Sequence, residues 1–314
     1  MDVIIVCHTE FGFVRNKKVI YEKKATQGVT KGVLNLMGVA KRYKAKVTFA
    51  VMPEVAEYFP KDTGQEIGLH VHAGWETFGQ GKDAYEVGDA YLRVHSKQSS
   101  ASTVLRDYSY DEQFDMICRG KKYLAEILGS APTTFVAGRW SLNNDTVKAL
   151  VANGFTHDCS AQPGAKPAHH DWSRLPRICM PYHPHEHDYQ KKGAAPLLMV
   201  PGAQYFPGGG VNPEMVPWVG LAWLKACFSE YYRQGAPLFH ICLHSPCMTD
   251  DYFISAMDRL LEFIAGHEQV HFKCAREIQE YPNRHVAATM LPYLAGLNLA
   301  IIKSYFLSSF KIFL

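Results

Sequence analysis

Two histidines one residue apart close the run Gln65-Glu66-Ile67-Gly68-Leu69-His70-Val71-His72. In an extended backbone, side chains at i and i+2 leave the same face, close enough to grip one cation. The His-x-His pattern also arises with one ring hydrogen-bonded to a neighbour and the other in solvent. Here a candidate third ligand lies upstream, because the apolar run at the N-terminus ends in His8-Thr9-Glu10. Two imidazoles and a carboxylate suit a zinc-like ion, and three protein ligands leave a coordination position for water or a substrate oxygen. The chemistry such a centre supports is hydrolysis.

Something must carry these residues to one place. Strand-like runs at 2–7, 46–51, 66–72, 133–137, 154–158, 237–243 and 269–273 alternate with amphipathic stretches of helical length at 28–43, 111–128, 143–152, 214–233 and 250–266. This alternation predicts a parallel α/β barrel. Two helix starts carry capping signals, Ser109 with Glu112 three residues on, and Asn143 before an apolar run. Long irregular stretches at 74–108 and 159–213 are placed around the open C-terminal ends of the strands, where barrel sites lie. A triplet, Gly208-Gly209-Gly210, reads as a turn and not as a phosphate loop, since no Lys-Ser/Thr follows it. A histidine-rich loop holding His183, His185 and His187 reads as solvated and stays outside the site.

With 314 residues, 47% of them apolar, the chain can bury one large core. Lys and Arg number 33 against 30 Asp and Glu, a net charge of +3 that argues against a nucleic-acid partner. The eight cysteines are scattered without a Cys-x-x-Cys pair, the pattern of reduced thiols in a cytosolic protein. Met1-Asp2-Val3-Ile4-Ile5-Val6-Cys7 is too short and too acidic for an export signal, which supports a cytoplasmic reading. At the other end, the 17 residues from Val286 to Ile302 carry no charge but include Pro292, Gly296 and Asn298. That length is the lower limit for a membrane span. A helix packed on the domain, or one lying on a membrane surface, fits it equally.

The ordered motifs resemble those of the polysaccharide deacetylases, the NodB-homology group of carbohydrate esterases, especially members with Glu-Ile-Gly-Leu-His-x-His. The matching elements are His8-Thr9-Glu10, Glu66 to His72, and Thr134-Phe135-Val136-Ala137-Gly138-Arg139-Trp140-Ser141. After them come His157-Asp158-Cys159-Ser160 with Pro163-Gly164, then Asp171-Trp172-Ser173, and last Leu243-His244-Ser245-Pro246. The resemblance implies a single distorted (β/α) barrel domain over residues 1–283, with 284–314 as a hydrophobic tail outside it. It also implies metal-dependent removal of an N-acetyl group from an amino sugar.

Under that resemblance Glu10, His70 and His72 hold a divalent metal, zinc first, and His244 is the general acid. His8 stands where the family commonly has an aspartate base, and Arg139 orients that base. Trp75, Trp140, Asp171 and Trp172 form the substrate wall, their indoles offering faces to a sugar. Residues 240 and 244 share one strand face, so His240 is either a partner of the site or a core histidine. The family's second histidine, four residues after the first, would fall on Gly74, so either His72 serves instead or the ligand set has one member fewer. The expected partner is a carbohydrate, as a lipid-linked or nucleotide-linked precursor, and the tail supplies the membrane-surface contact. The alternative is a non-catalytic glycan-binding or polysaccharide-assembly protein that keeps the fold.

Overall fold

The computed structural model describes residues 1–22, 25–73, 76–77, 84–85, 104–204 and 209–281. Trp75, Gly74 and the hydrophobic tail lie outside the described residues. Eight strands build the main sheet: β1 (Asp2–Thr9), β2 (Thr48–Val51), β3 (Glu66–Val71), β4 (Thr134–Ala137), β5 (His157–Asp158), β6 (Leu198–Met199), β7 (Leu238–His244) and β8 (His271–Lys273). Their order is β6-β5-β4-β3-β2-β1-β7, with β8 also on β1, and every pairing is parallel. Strand β1 has the sequence Asp-Val-Ile-Ile-Val-Cys-His-Thr and is buried along its whole length, as a central parallel strand should be.

The distortion of the barrel begins at β1. Its N-terminal half, Asp2 to Ile4, pairs with β8, while Val6 to Thr9 pair with β2 on the same side. The opposite wall closes without regular pairing. Ala203 N–H donates to the His240 carbonyl and Cys242 N–H to the Val211 carbonyl, so the chain after β6 fills the gap beside β7. Alternation then sorts the side chains of β1 into two cores. Val3, Ile5 and Cys7 pack outward under the helices. Ile4 and Val6 point into the lumen with Ala50, Val136, Leu198, Val200 and Leu238. The outer layer comes from α1 (Val33–Arg42), α2 (Tyr110–Leu128), α3 (Asn144–Ala152), α4 (Leu221–Arg233) and α5 (Asp251–Ala265). Both expected capping boxes form, at Ser109 with Glu112 and at Asn143 with Thr146.

Two expectations change. The helix read over 214–233 is broken: Val216–Val219 is a separate turn, and Gly220 at φ 79° resets the chain before α4. A left-handed glycine ends a helix, and Pro217 in the first turn prevents a continuous run from farther upstream. The stretch 159–213 is also less irregular than its composition implies. It contains β6 and an antiparallel hairpin, Pro184–His185 with Asp188–Lys192, which carries the histidine-rich loop. The signal for β6 was the apolar run Leu197-Leu198-Met199-Val200.

Glu66 of the His-x-His run turns out to close the far end of the lumen. Its buried carboxylate accepts hydrogen bonds from Thr48 Oγ1 at 2.7 Å, Thr134 Oγ1 at 2.5 Å and the Arg276 N–H at 3.2 Å. One side chain therefore ties β2, β3, β4 and the segment after β8. Replacing Glu66 by Ala strands three donors in a dry site, and urea unfolding should show a loss of about 3 kcal/mol. A change below about 0.5 kcal/mol would contradict this role.

Candidate functional site

At the C-terminal ends of the strands the lumen-facing side chains become polar. The inward parity of Ile4 and Val6 continues to His8 and Glu10, and that of Gly68 to His70 and His72. In register, His8 lies beside Ala50, which lies beside Gly68. The two small residues leave the lumen open below the mouth, so Glu10 meets His70 of β3 and His72 just after it across β2. Glu10 is held by its own backbone, whose N–H donates to Ser245 Oγ at 3.1 Å.

Glu10 Oε1 lies 2.9 Å from His70 Nε2 and 3.3 Å from His72 Nε2, and the two ring nitrogens are 3.0 Å apart. All three residues are buried. The tautomer of His70 follows from its other nitrogen: Nδ1 is 2.9 Å from the Val136 carbonyl, which can only accept, so Nδ1 carries the proton. Unless the ring is charged, Nε2 then presents a lone pair to a carboxylate. Burial lowers the pKa of His70 despite the neighbouring Glu10, which favours the neutral ring. Burial would raise Glu10, but its closeness to His70 and His72 outweighs that and holds it well below the usual carboxylate range. Lone pairs converging on one point are held together by a proton or by a cation between them. The donor set fits a divalent metal: in a tetrahedral zinc site, bonds of about 2.0–2.1 Å put ligand atoms roughly 3.3 Å apart. Glu10 Oε2 is also buried and has no hydrogen-bond partner among the described residues.

His8 and His244 stand beside this centre. The His8 ring is 4.7 Å from His70 and 4.8 Å from His244, centroid to centroid. Burial and then the neighbouring imidazoles push His8 well below its ordinary pKa, leaving it a neutral base. His244 goes the other way. Burial opposes its charge, yet Glu214 beside it raises the pKa to about 9. Glu214 Oε1 is 3.0 Å from His244 Nδ1 and accepts the His244 backbone N–H at 2.7 Å. Sequence reading did not single out Glu214, which is remote along the chain from His244 and follows an irregular stretch. Tyr21, 5.9 Å from the His244 ring, was also not foreseen.

The turn after β4 supplies the wall. Gly138 admits it, because a Cβ there would stand 2.7 Å from the His72 ring and from the Val71 carbonyl. Arg139 and Trp140 follow with φ of 55° and 52°, a left-handed pair that surrounding contacts must hold. His170 Nδ1 donates to the Arg139 carbonyl at 2.8 Å and the Trp172 indole N–H to the Trp140 carbonyl at 3.0 Å. Trp140 is half-buried, its ring 5.7 Å from His8 and 6.1 Å from His244, so it does line the mouth.

Two expectations need correcting. Trp172 is fully buried, edge-on to Tyr189, and braces the turn instead of offering a face to a sugar. The Asp171 carboxylate pairs with Lys166 and closes a turn with Ser173, a surface arrangement that lowers its pKa. Arg139, whose role toward His8 stays an expectation, has its Nη1 3.4 Å from His169 Nε2. His240 is a core residue, its Nδ1 3.1 Å from the Val200 carbonyl across the irregular wall, and burial lowers it to about 4. Asp158, also buried, accepts from the N–H and hydroxyl of Ser160, with burial lifting its pKa to about 7.

The sheet and the site geometry define a known class of fold, the distorted (β/α) barrel of the polysaccharide deacetylases. No protein-family model matches the sequence, and no curated protein is matched by it. Solved structures do match. A Mycobacterium smegmatis protein assigned as a polysaccharide deacetylase superposes at a TM-score of 0.53 and 16% identity, over 91% of this chain and 95% of that one. A Pseudomonas aeruginosa PAO1 protein with the same assignment gives 0.56 and 16%, over 88% of each chain. The Puue allantoinase gives 0.56 and 17%, also over 88% of each. At these identities the likeness establishes the fold.

Glu214 generates a prediction for the metal-free protein. Glu214→Gln should move the His244 imidazole, followed by NMR, from about 9 to below its ordinary 6.5. Because the folded pKa is raised, the stability it contributes is complete below the unfolded value near 6.5 and is lost as pH rises through about 9. The stability gap between the two proteins should therefore be widest near pH 6 and narrow above pH 9. An unchanged His244 titration would contradict the pairing.

Proposed function

We propose that this protein is a metal-dependent hydrolase that removes the N-acetyl group from an amino sugar of a polysaccharide or its precursor. The observation that carries the reading is the meeting of Glu10, His70 and His72 at hydrogen-bond distances inside a dry barrel mouth, with neutral His8 and cationic His244 on one side. The names of the structural neighbours, polysaccharide deacetylases and an allantoinase, support the same class.

Amide hydrolysis needs an activated water, a partner for the tetrahedral oxyanion, and an acid for the departing amine. A divalent metal, held by Glu10, His70 and His72, would supply a more acidic water and charge stabilisation for the oxyanion. The rest falls to this chain's own groups. His8, its pKa lowered by burial, takes the water proton on a ring nitrogen. His244, kept protonated by Glu214, delivers a proton to the leaving nitrogen, and Glu214 keeps Nδ1 occupied so that the transfer runs through Nε2. Trp140 narrows the entrance beside both rings, where a sugar face can stack, and the Gly138 turn fixes its position.

Purified protein, stripped of metal and reloaded with zinc or cobalt, should release acetate from at least one member of a panel of N-acetyl amino sugars. His70→Ala should lose both the metal and the activity. His244→Gln should keep the metal and lose about 10²–10⁴-fold in turnover. A wild-type chain that retains no divalent metal above the His70→Ala level would overturn the proposal.

A further inference from the structure

A second group of ligand atoms converges beside the first. One ligand atom from each of His8, Glu10 and His244 lies within 4.8 Å of the other two. Two of these residues have polar atoms with no other occupation: His8 Nε2 and Glu10 Oε2 are buried and have no hydrogen-bond partner among the described residues. Buried polar atoms are nearly always paired, so two orphans in adjoining residues need an explanation. The third residue is oriented as metal-binding histidines are. Glu214 holds Nδ1 of His244 at 3.0 and 3.2 Å and leaves Nε2 free, as the Val136 carbonyl does for His70. Glu10 is common to both groups. Its Oε1 is the atom beside His70 and His72, and Oε2 remains for the other side.

We propose that His8, Glu10 and His244 form a second divalent-cation site, joined to the first through the two oxygens of the Glu10 carboxylate. The inference rests on the first site being a metal centre, and it adds a regulatory consequence. The second cation binds more weakly, because it draws on a carboxylate whose charge the first already shares and enters a buried pocket beside another dication. When it binds, it occupies the His8 lone pair that would accept the water proton and displaces from His244 Nε2 the proton that the leaving nitrogen needs. One cation therefore supports hydrolysis, and a second shuts it off, so the enzyme is inhibited by an excess of its own metal.

Metal-free full-length protein, titrated with cobalt or zinc in equilibrium dialysis with elemental analysis, tests this without a substrate. The wild type should bind two ions per chain, the second at least 10-fold more weakly. His8→Ala should bind one, with the tight affinity unchanged; circular dichroism verifies its fold, and His244→Gln serves the same purpose if that variant does not fold. The double variant His185→Ala with His187→Ala, in the exposed hairpin, should still bind two. Where acetate release is measurable, it should peak at one equivalent and fall at least 10-fold as the second site fills. Saturation of the wild type at one ion overturns the second site and leaves the hydrolase reading standing. Two ions retained by both His8→Ala and His244→Gln also overturn it, by placing the weaker ion elsewhere. No bound ion at all overturns both readings.

Discussion

The whole site depends on one carboxylate meeting two ring nitrogens where no water can separate them. Glu10 and His70 are each about 1% exposed, and the Nδ1–H of His70 already donates to the Val136 carbonyl. In a dry pocket such an arrangement holds only with protons or a cation between the lone pairs. The fold serves this meeting in an unobvious way. Glu10 follows β1 and His70 sits on β3, so β2 runs between them, and its inward residue two positions below that level is Ala50, flanked by His8 and Gly68. Small side chains below the mouth let groups two strands apart touch. The splitting of β1 between β8 and β2 is the irregularity that accompanies this geometry.

Around that meeting the protein sets two imidazoles to opposite charge states with the same resource, burial, and one difference in company. Around His8, burial and the neighbouring imidazoles outweigh the charge of Glu10 and keep the ring neutral. His244 has Glu214, whose charge outweighs the same burial. A neutral and a cationic imidazole less than 5 Å apart would serve the proposed reaction, an addition to a carbonyl followed by expulsion of an amine. The left-handed turn at Arg139 and Trp140 carries backbone strain, and His170 and Trp172 hold it by capturing its carbonyl groups. Strain kept next to reacting groups in this way is a mark of functional sites.

Much of this was legible in the residues. The i, i+2 rule placed His70 and His72 on one face, and the parity of β1 carries Glu10 into the same lumen. Helix α2 was marked at its start by Ser109 and Glu112. Other parts were hidden for physical reasons. The partnership of Glu214 and His244 depends on how an irregular segment folds back beside β7, which no periodicity encodes. The break at Gly220 was masked by apolar residues that continue the helical pattern across it. Trp172 reads as a platform in one dimension, since burial of an indole is set by what packs over it. Glu66 belongs to the same run as the two histidines, but its distance of four residues along a strand puts it at the other end of the lumen.

The central claim is that Glu10, His70 and His72 bind one metal together, and X-ray absorption at the metal edge tests it most directly. Protein loaded with a single equivalent of zinc should show a nitrogen and oxygen shell near 2.0–2.1 Å with the outer-shell scattering of two imidazoles, falling to one in His72→Ala. A spectrum of fully hydrated zinc, or one unaltered by that substitution, would contradict the account.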